Sequence, residues 1–175
     1  MPTEVLVSEY SRIDPRRYRT ALGRFPTGVT IITAKSDHGE YAGVTCNSFN
    51  SLSLDPPLVL WSLDRAARSR PTFERAEMFG VNVLSVEQRE LAVRFATPSP
   101  NKFEGVAFRE GLEEIPVFPG SAAVLKCRRR SVAPEGDHLL FVGEVVYYSW
   151  DPERRPLLYA DGHYGAVAGE PTSSG

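Results

Sequence analysis

Two long segments of strand character, residues 122–133 and 138–150, constrain this chain more than any other feature. They flank Pro134-Glu135-Gly136-Asp137, a turn signal that folds one segment back on the other as an antiparallel pair. Between residues 139 and 148 both alternating faces are apolar, apart from Gly143 and Glu144. A strand apolar on both faces in an otherwise antiparallel structure needs cover on its outer side, from a helix or from a second subunit.

The same punctuation recurs upstream. A β-branched run at 29–35, the turn Asp37-His38-Gly39-Glu40 and a second run at 41–45 predict a hairpin. Residues 58–63 and 78–84 add two more strands. The helical signals are short. Asp14 and Pro15 stand as N-cap and first helical residue, with Tyr18 and Leu22 on one face and Gly23 as a stop. Residues 69–76 form a second helix with Pro71 in its first turn. Ser85 and Gln88 make a capping box that opens a third, running through Phe95. Several strands with a few short helices describe a mainly β chain, a β-barrel with α additions. At 175 residues, 42% hydrophobic and 24% charged, the chain is long and apolar enough for one domain with a core of its own. Residues 1–13 read as a leader, 14–167 as the domain and 168–175 as a flexible tail.

Composition removes several classes of function. A net charge of −2 gives no electrostatic footprint for nucleic acid. Two cysteines, Cys46 and Cys127, make no disulfide framework and no metal-type Cys/His spacing, so a reducing compartment is expected. No apolar run is long enough to span a bilayer, and no basic segment with an apolar core opens the chain, so the expected location is the cytoplasm. Neither a Gly-x-Ser-x-Gly elbow nor a Gly-x-Gly-x-x-Gly dinucleotide fingerprint is present.

The chemistry concentrates in Val44-Thr45-Cys46-Asn47-Ser48-Phe49-Asn50-Ser51-Leu52-Ser53, a row of small hydrogen-bonding residues running into the apolar segment at 58–60. An extended backbone with small side chains offers alternating N–H and C=O groups at close approach. A flat polar heterocycle such as the pyrimidine edge of a flavin can use such a surface. Other segments accompany it: Arg24-Phe25-Pro26-Thr27-Gly28-Val29, Phe79-Gly80-Val81-Asn82, Asn101-Lys102-Phe103, Gly136-Asp137-His138 and Gly162-His163-Tyr164. In this order and at these spacings, residues 15 to 167 resemble the short-chain flavin reductase family. The resemblance implies an antiparallel split β-barrel (the FMN-binding split barrel), a homodimer, FAD or FMN as flavin, and NADH or NADPH as hydride donor. It also implies a partner, a flavin-dependent monooxygenase that receives reduced flavin by diffusion.

Carried onto this sequence, the resemblance places Thr45, Cys46, Asn47 and Ser48 along the isoalloxazine and ribityl portion. Pro26, Thr27, Gly28 and Val29 border the same cleft. Ser53, Ser62, Arg68, Ser69 and Lys102 are candidates for the phosphate end, with Lys102 beside Phe103 as the leading cation; the plainer readings are a solvated loop lysine and a surface arginine. Phe49 is read as core packing. His138 is assigned to positioning the nicotinamide, Asp137 to orienting His138 or making the turn, and Tyr164 to the nicotinamide side. Hydride transfer between two cofactors asks the protein for stacking and placement, with no triad or metal. The alternatives are a tightly held flavin serving another acceptor, and a non-enzymatic flavin-binding module.

Overall fold

The computed structural model describes residues 13–110 and 114–167; the tail and all but residue 13 of the leader lie outside the described residues. The chain runs through α1 (Pro15–Leu22), β1 (Thr27–Gly28), β2 (Thr30–Lys35), β3 (Tyr41–Cys46), β4 (Asn50–Leu54), β5 (Pro57–Asp64), α2 (Arg70–Arg75), β6 (Met78–Val83), a 3-10 turn (Val86–Gln88) and α3 (Arg89–Ala96). It continues through β7 (Arg109–Glu110), β8 (Pro116–Val117), β9 (Ala123–Glu135), β10 (His138–Trp150), β11 (Leu157–Ala160) and β12 (His163–Ala166). Seven strands form the main sheet in the order β3-β2-β6-β9-β10-β5-β4, every pair antiparallel. A small sheet, β1-β11-β12, lies at the start of β2.

The local signals are used with two changes. Asp14 caps α1 by accepting from the Arg16 amide at 2.8 Å, but Gly23 ends the helix at φ −63°, in ordinary helical conformation rather than the left-handed one. The long hairpin is tighter than its turn signal suggests, because β9 continues through Pro134 to Glu135. That leaves Gly136-Asp137 alone at the bend, with Gly136 at φ +61°. The Ser85–Gln88 capping box forms as expected. The segment that becomes β4 lies in the polar row, outside the expected strands; it pairs with β5 through an irregular register between Ser51 and Ser53. Pairing to a formed neighbour overrides its loop-like composition.

The core has two parts, one on each side of β2. Ile32 joins Trp61, Phe73, Phe79, Val81 and Phe141, with Trp61 stacked on Phe141 at 4.4 Å and 13° and edge-on to Phe73 and Phe79. Ile31 joins Val29, Leu84, Phe95, Phe118 and Leu157 on the other side. The strand buried on both faces is therefore β2. On β10, Leu139, Phe141 and Gly143 face the core, while Tyr148 and Trp150 stack on each other at the surface, 67% and 69% exposed. The helices α2 and α3 pack on β2 and β3, so neither supplies the cover that the sequence pattern of β10 calls for.

Candidate active site

The polar row falls where the sheet stops. β3 is an edge strand, bonded to β2 on one side only, so the backbone of Tyr41–Cys46 presents an unladdered row of N–H and C=O groups on the other. Several of the row's side chains are engaged within the protein. The Thr45 hydroxyl donates to Ala92 O of α3 at 2.6 Å, and Thr30 Oγ1 donates to Cys46 O at 2.9 Å. Ser48 Oγ accepts from the Ser62 amide at 2.9 Å and reaches Ser62 O at 3.3 Å, which clasps the end of β3 to β5. Cys46 Sγ lies 2.9 Å from the same hydroxyl, and burial raises its thiol pKa. Asn47 remains exposed at the edge, and Phe49 packs against the core as expected.

Pro26, Thr27, Gly28 and Val29 arrive beside this edge because β2 begins with Thr30 opposite Cys46. Gly28 has open space where a Cβ would stand, and Thr27 Oγ1 is buried without a hydrogen-bond partner among the described residues. Ser62 leads along β5 to Asp64, whose register partner is His138. His138 Nδ1 lies 2.6 Å from Asp137 Oδ1, and that hydrogen bond holds the Asp137 carboxyl below its usual pKa range. Asp137 thus stands at the turn and within hydrogen-bond distance of the His138 ring.

Beyond Asp64, a cleft of about 740 Å³ opens between β3, the β5–α2 connection and the loop after α3. Arg68, Ser69, Lys102 and Phe103 line it together with residues 40–44 of β3 and its approach, and with Pro98 and Pro100. Lys102 is half-buried. Its ammonium donates to Phe95 O at 2.6 Å and Gly43 O at 3.4 Å, tying the C-terminal end of α3 to β3, and burial lowers its pKa. Two residues fall away from the group. Ser53 stands opposite Leu58, four residues along β5 from Ser62 or roughly 13 Å, so it is not brought beside Ser62. Tyr164 sits on the small sheet in one cross-strand row with Thr27 and Tyr159, near Arg89 and outside the cleft. Glu40–Gly43 and the prolines after α3, which also line the cleft, were not singled out in the sequence. Nothing local distinguishes an edge strand from an inner one.

The flavin reductase like domain model matches residues 22–168. The reductase subunit HsaB of a flavin-dependent monooxygenase from Rhodococcus jostii is 44% identical over 160 residues, covering 91% of this chain and 82% of that one. This chain belongs to the flavin reductase-like family. The FMN reductase (NADH) SmoA of Agrobacterium fabrum is 41% identical, covering 86% of this chain and 84% of its own. SgcE6 of Streptomyces globisporus, an NADH:FAD oxidoreductase solved with NAD and FAD fragments, has a TM-score of 0.84 at 34% identity, covering 91% of this chain and 98% of its own. The flavin reductase-like domain thus spans the described strands, including the edge of β3 and the cleft beside it.

Proposed function

We propose that this chain is an NAD(P)H-dependent flavin reductase that reduces FAD or FMN and supplies the reduced flavin to a partner flavin-dependent monooxygenase. The observation that carries this reading is the unladdered edge of β3 leading into a cleft with two cations. The buried Thr27 hydroxyl, without a partner among the described residues, and the open space at Gly28 beside it suit a bound ring. A bound flavin supplies the hydride-accepting chemistry. The protein's part is placement. Backbone groups near Thr45–Ser48 answer the polar edge of the ring. Lys102 and Arg68 meet the phosphate end with Ser69. Asp137 accepts from His138 Nδ1–H and so fixes the tautomer, leaving Nε2 as an acceptor for the carboxamide of the nicotinamide. No general base is required at the carbon that gives up hydride.

The same reading extends to the assembly. The seven-stranded sheet, with β3 clasped to β5 by Ser48 and Ser62, is a split barrel. A second copy covers the apolar outer side of β10, where Val146, Tyr148 and Trp150 are exposed, making the working form a homodimer. The two cysteines are free and buried, which suits the reducing cytoplasm.

Anaerobic mixing of the protein with excess FAD or FMN and with NADH or NADPH tests the activity through the visible absorbance of the flavin. Bleaching of many flavin equivalents per protein is the expected result. Bleaching limited to one equivalent would replace this reading with a tightly held flavin serving another acceptor. Flavin binding without bleaching would leave a binding module.

A further inference from the structure

We propose that the cleft beside β3 seats the adenosine diphosphate half of FAD, so that this chain holds FAD in preference to FMN; the inference rests on the flavin-reductase reading and deepens it. The first support is room. From Val44 back to Tyr41, β3 extends roughly 10 Å beyond the polar row, and the cleft follows it. Its volume of about 740 Å³ lies in the range that accepts a whole small-molecule ligand, roughly 300–1,000 Å³. A ring phosphate alone would leave most of that space to water. The space exists because the walls are small. Ala42, Gly43, Ala66, Ala67 and Ala96 face it, while Pro98 and Pro100 offer flat apolar surface to a base.

The second support is charge. Lys35, Arg70, Arg75 and Arg130 are each paired with a carboxylate. Arg68 and Lys102 line the cleft and enter no ion pair among the described residues. The Lys102 ammonium is already anchored by two carbonyls and keeps one N–H for a ligand. Two cations that enter no ion pair among the described residues, lining one cleft with Ser69, Thr72 and Ser99, suit a pyrophosphate bridge.

The third support is position. Residues assigned to the flavin, namely Arg68, Ser69, Lys102 and Phe103, line the cleft. The nicotinamide-side residues Asp137, His138 and Tyr164 do not. An adenosine here therefore belongs to the flavin rather than to the hydride donor.

Calorimetric titration with FAD, FMN and ADP, without any nicotinamide, tests the inference on the full chain and on two variants, Ala96→Trp and Ala66→Trp. Both alanines are exposed and line the cleft from different segments, so a tryptophan there fills space without disturbing the core. The wild type is expected to bind FAD at least about tenfold more tightly than FMN, a difference of about 1.4 kcal/mol, with ADP competing against FAD. Each tryptophan is expected to weaken FAD by about tenfold and leave FMN within about twofold. Equal affinity for the two flavins in the wild type would overturn the inference while the reductase reading stands. So would variants that weaken both flavins alike, or neither. Failure of both flavins to bind would remove the reductase reading and the inference together.

Discussion

The middle of the large sheet and its β3 edge are built from opposite kinds of residue. In the middle, Trp61, Phe73, Phe79 and Phe141 fill the space between strands whose backbone groups are laddered on both sides. At the edge, Ala42, Gly43 and Thr45 keep side chains short, and one row of backbone groups is left unladdered. The middle gains stability from area removed from water and from close packing. The edge forgoes both and keeps room and hydrogen-bonding capacity for something other than protein. The edge meets the second part of the core, that of Ile31 and Phe95, at Gly43. This residue lies on β3, but a Cβ there would overlap the Phe95 ring of α3.

The comparison breaks most visibly if the core and the edge cannot be separated. Trp61→Ala removes the stack on Phe141 and should cost about 3–5 kcal/mol in urea unfolding. Flavin affinity of the protein that remains folded should stay within about twofold. Loss of flavin binding in folded protein would show that the edge depends on core packing. Gly43→Ala should fail on both counts, with overpacking of about 1–3 kcal/mol and weaker flavin binding as α3 and Lys102 are pushed from β3. A change in stability alone would detach the helix from the cleft.

Lys102→Met should lower stability, because Phe95 O and Gly43 O lose their donor, and should weaken flavin binding by about 1.5–3 kcal/mol for a lost charge-assisted hydrogen bond; urea unfolding and flavin titration read the two. pH offers a sharper version. Burial lowers the Lys102 pKa, so between its folded value and the ordinary lysine value the unfolded chain binds more protons. Through that alkaline window this group's contribution to stability rises with pH, while flavin affinity falls as the ammonium is lost. Urea unfolding and flavin titration across the window should move in opposite directions, and Lys102→Met should flatten both. The smallest effect is expected from Ser48→Ala, which removes the clasp on Ser62 at about 1 kcal/mol. It should raise the flavin KM a few fold with kcat intact, since the hydroxyl positions the strand end rather than the reacting atoms.

Legibility in the sequence follows the range of the interactions. The hairpin of β2 and β3, the capping of α1 by Asp14 and the Ser85–Gln88 box were readable because each is decided within a few residues. Asp137 and His138 are adjacent in sequence, so their pairing was readable too. Lys102 and Gly43 are 59 residues apart, and no local pattern announces that one caps a helix against the other. Ser53 and Ser62 looked alike as short hydroxyl residues. Only the register of β4 on β5 separates them.

By itself the sequence determined that this chain is mainly antiparallel β, with short capped helices and a row of small polar residues suited to a flat heterocycle. Turn chemistry, alternation and capping are local free energies, and the sequence states them directly. The tertiary structure decided that β3 is an edge of the sheet, that Ser48 is a clasp to β5, and that alanines from three separate segments leave a cleft of about 740 Å³ lined by Arg68 and Lys102. Strand order and open volume depend on how distant side chains share one interior, and that balance is struck only when the whole sheet has packed.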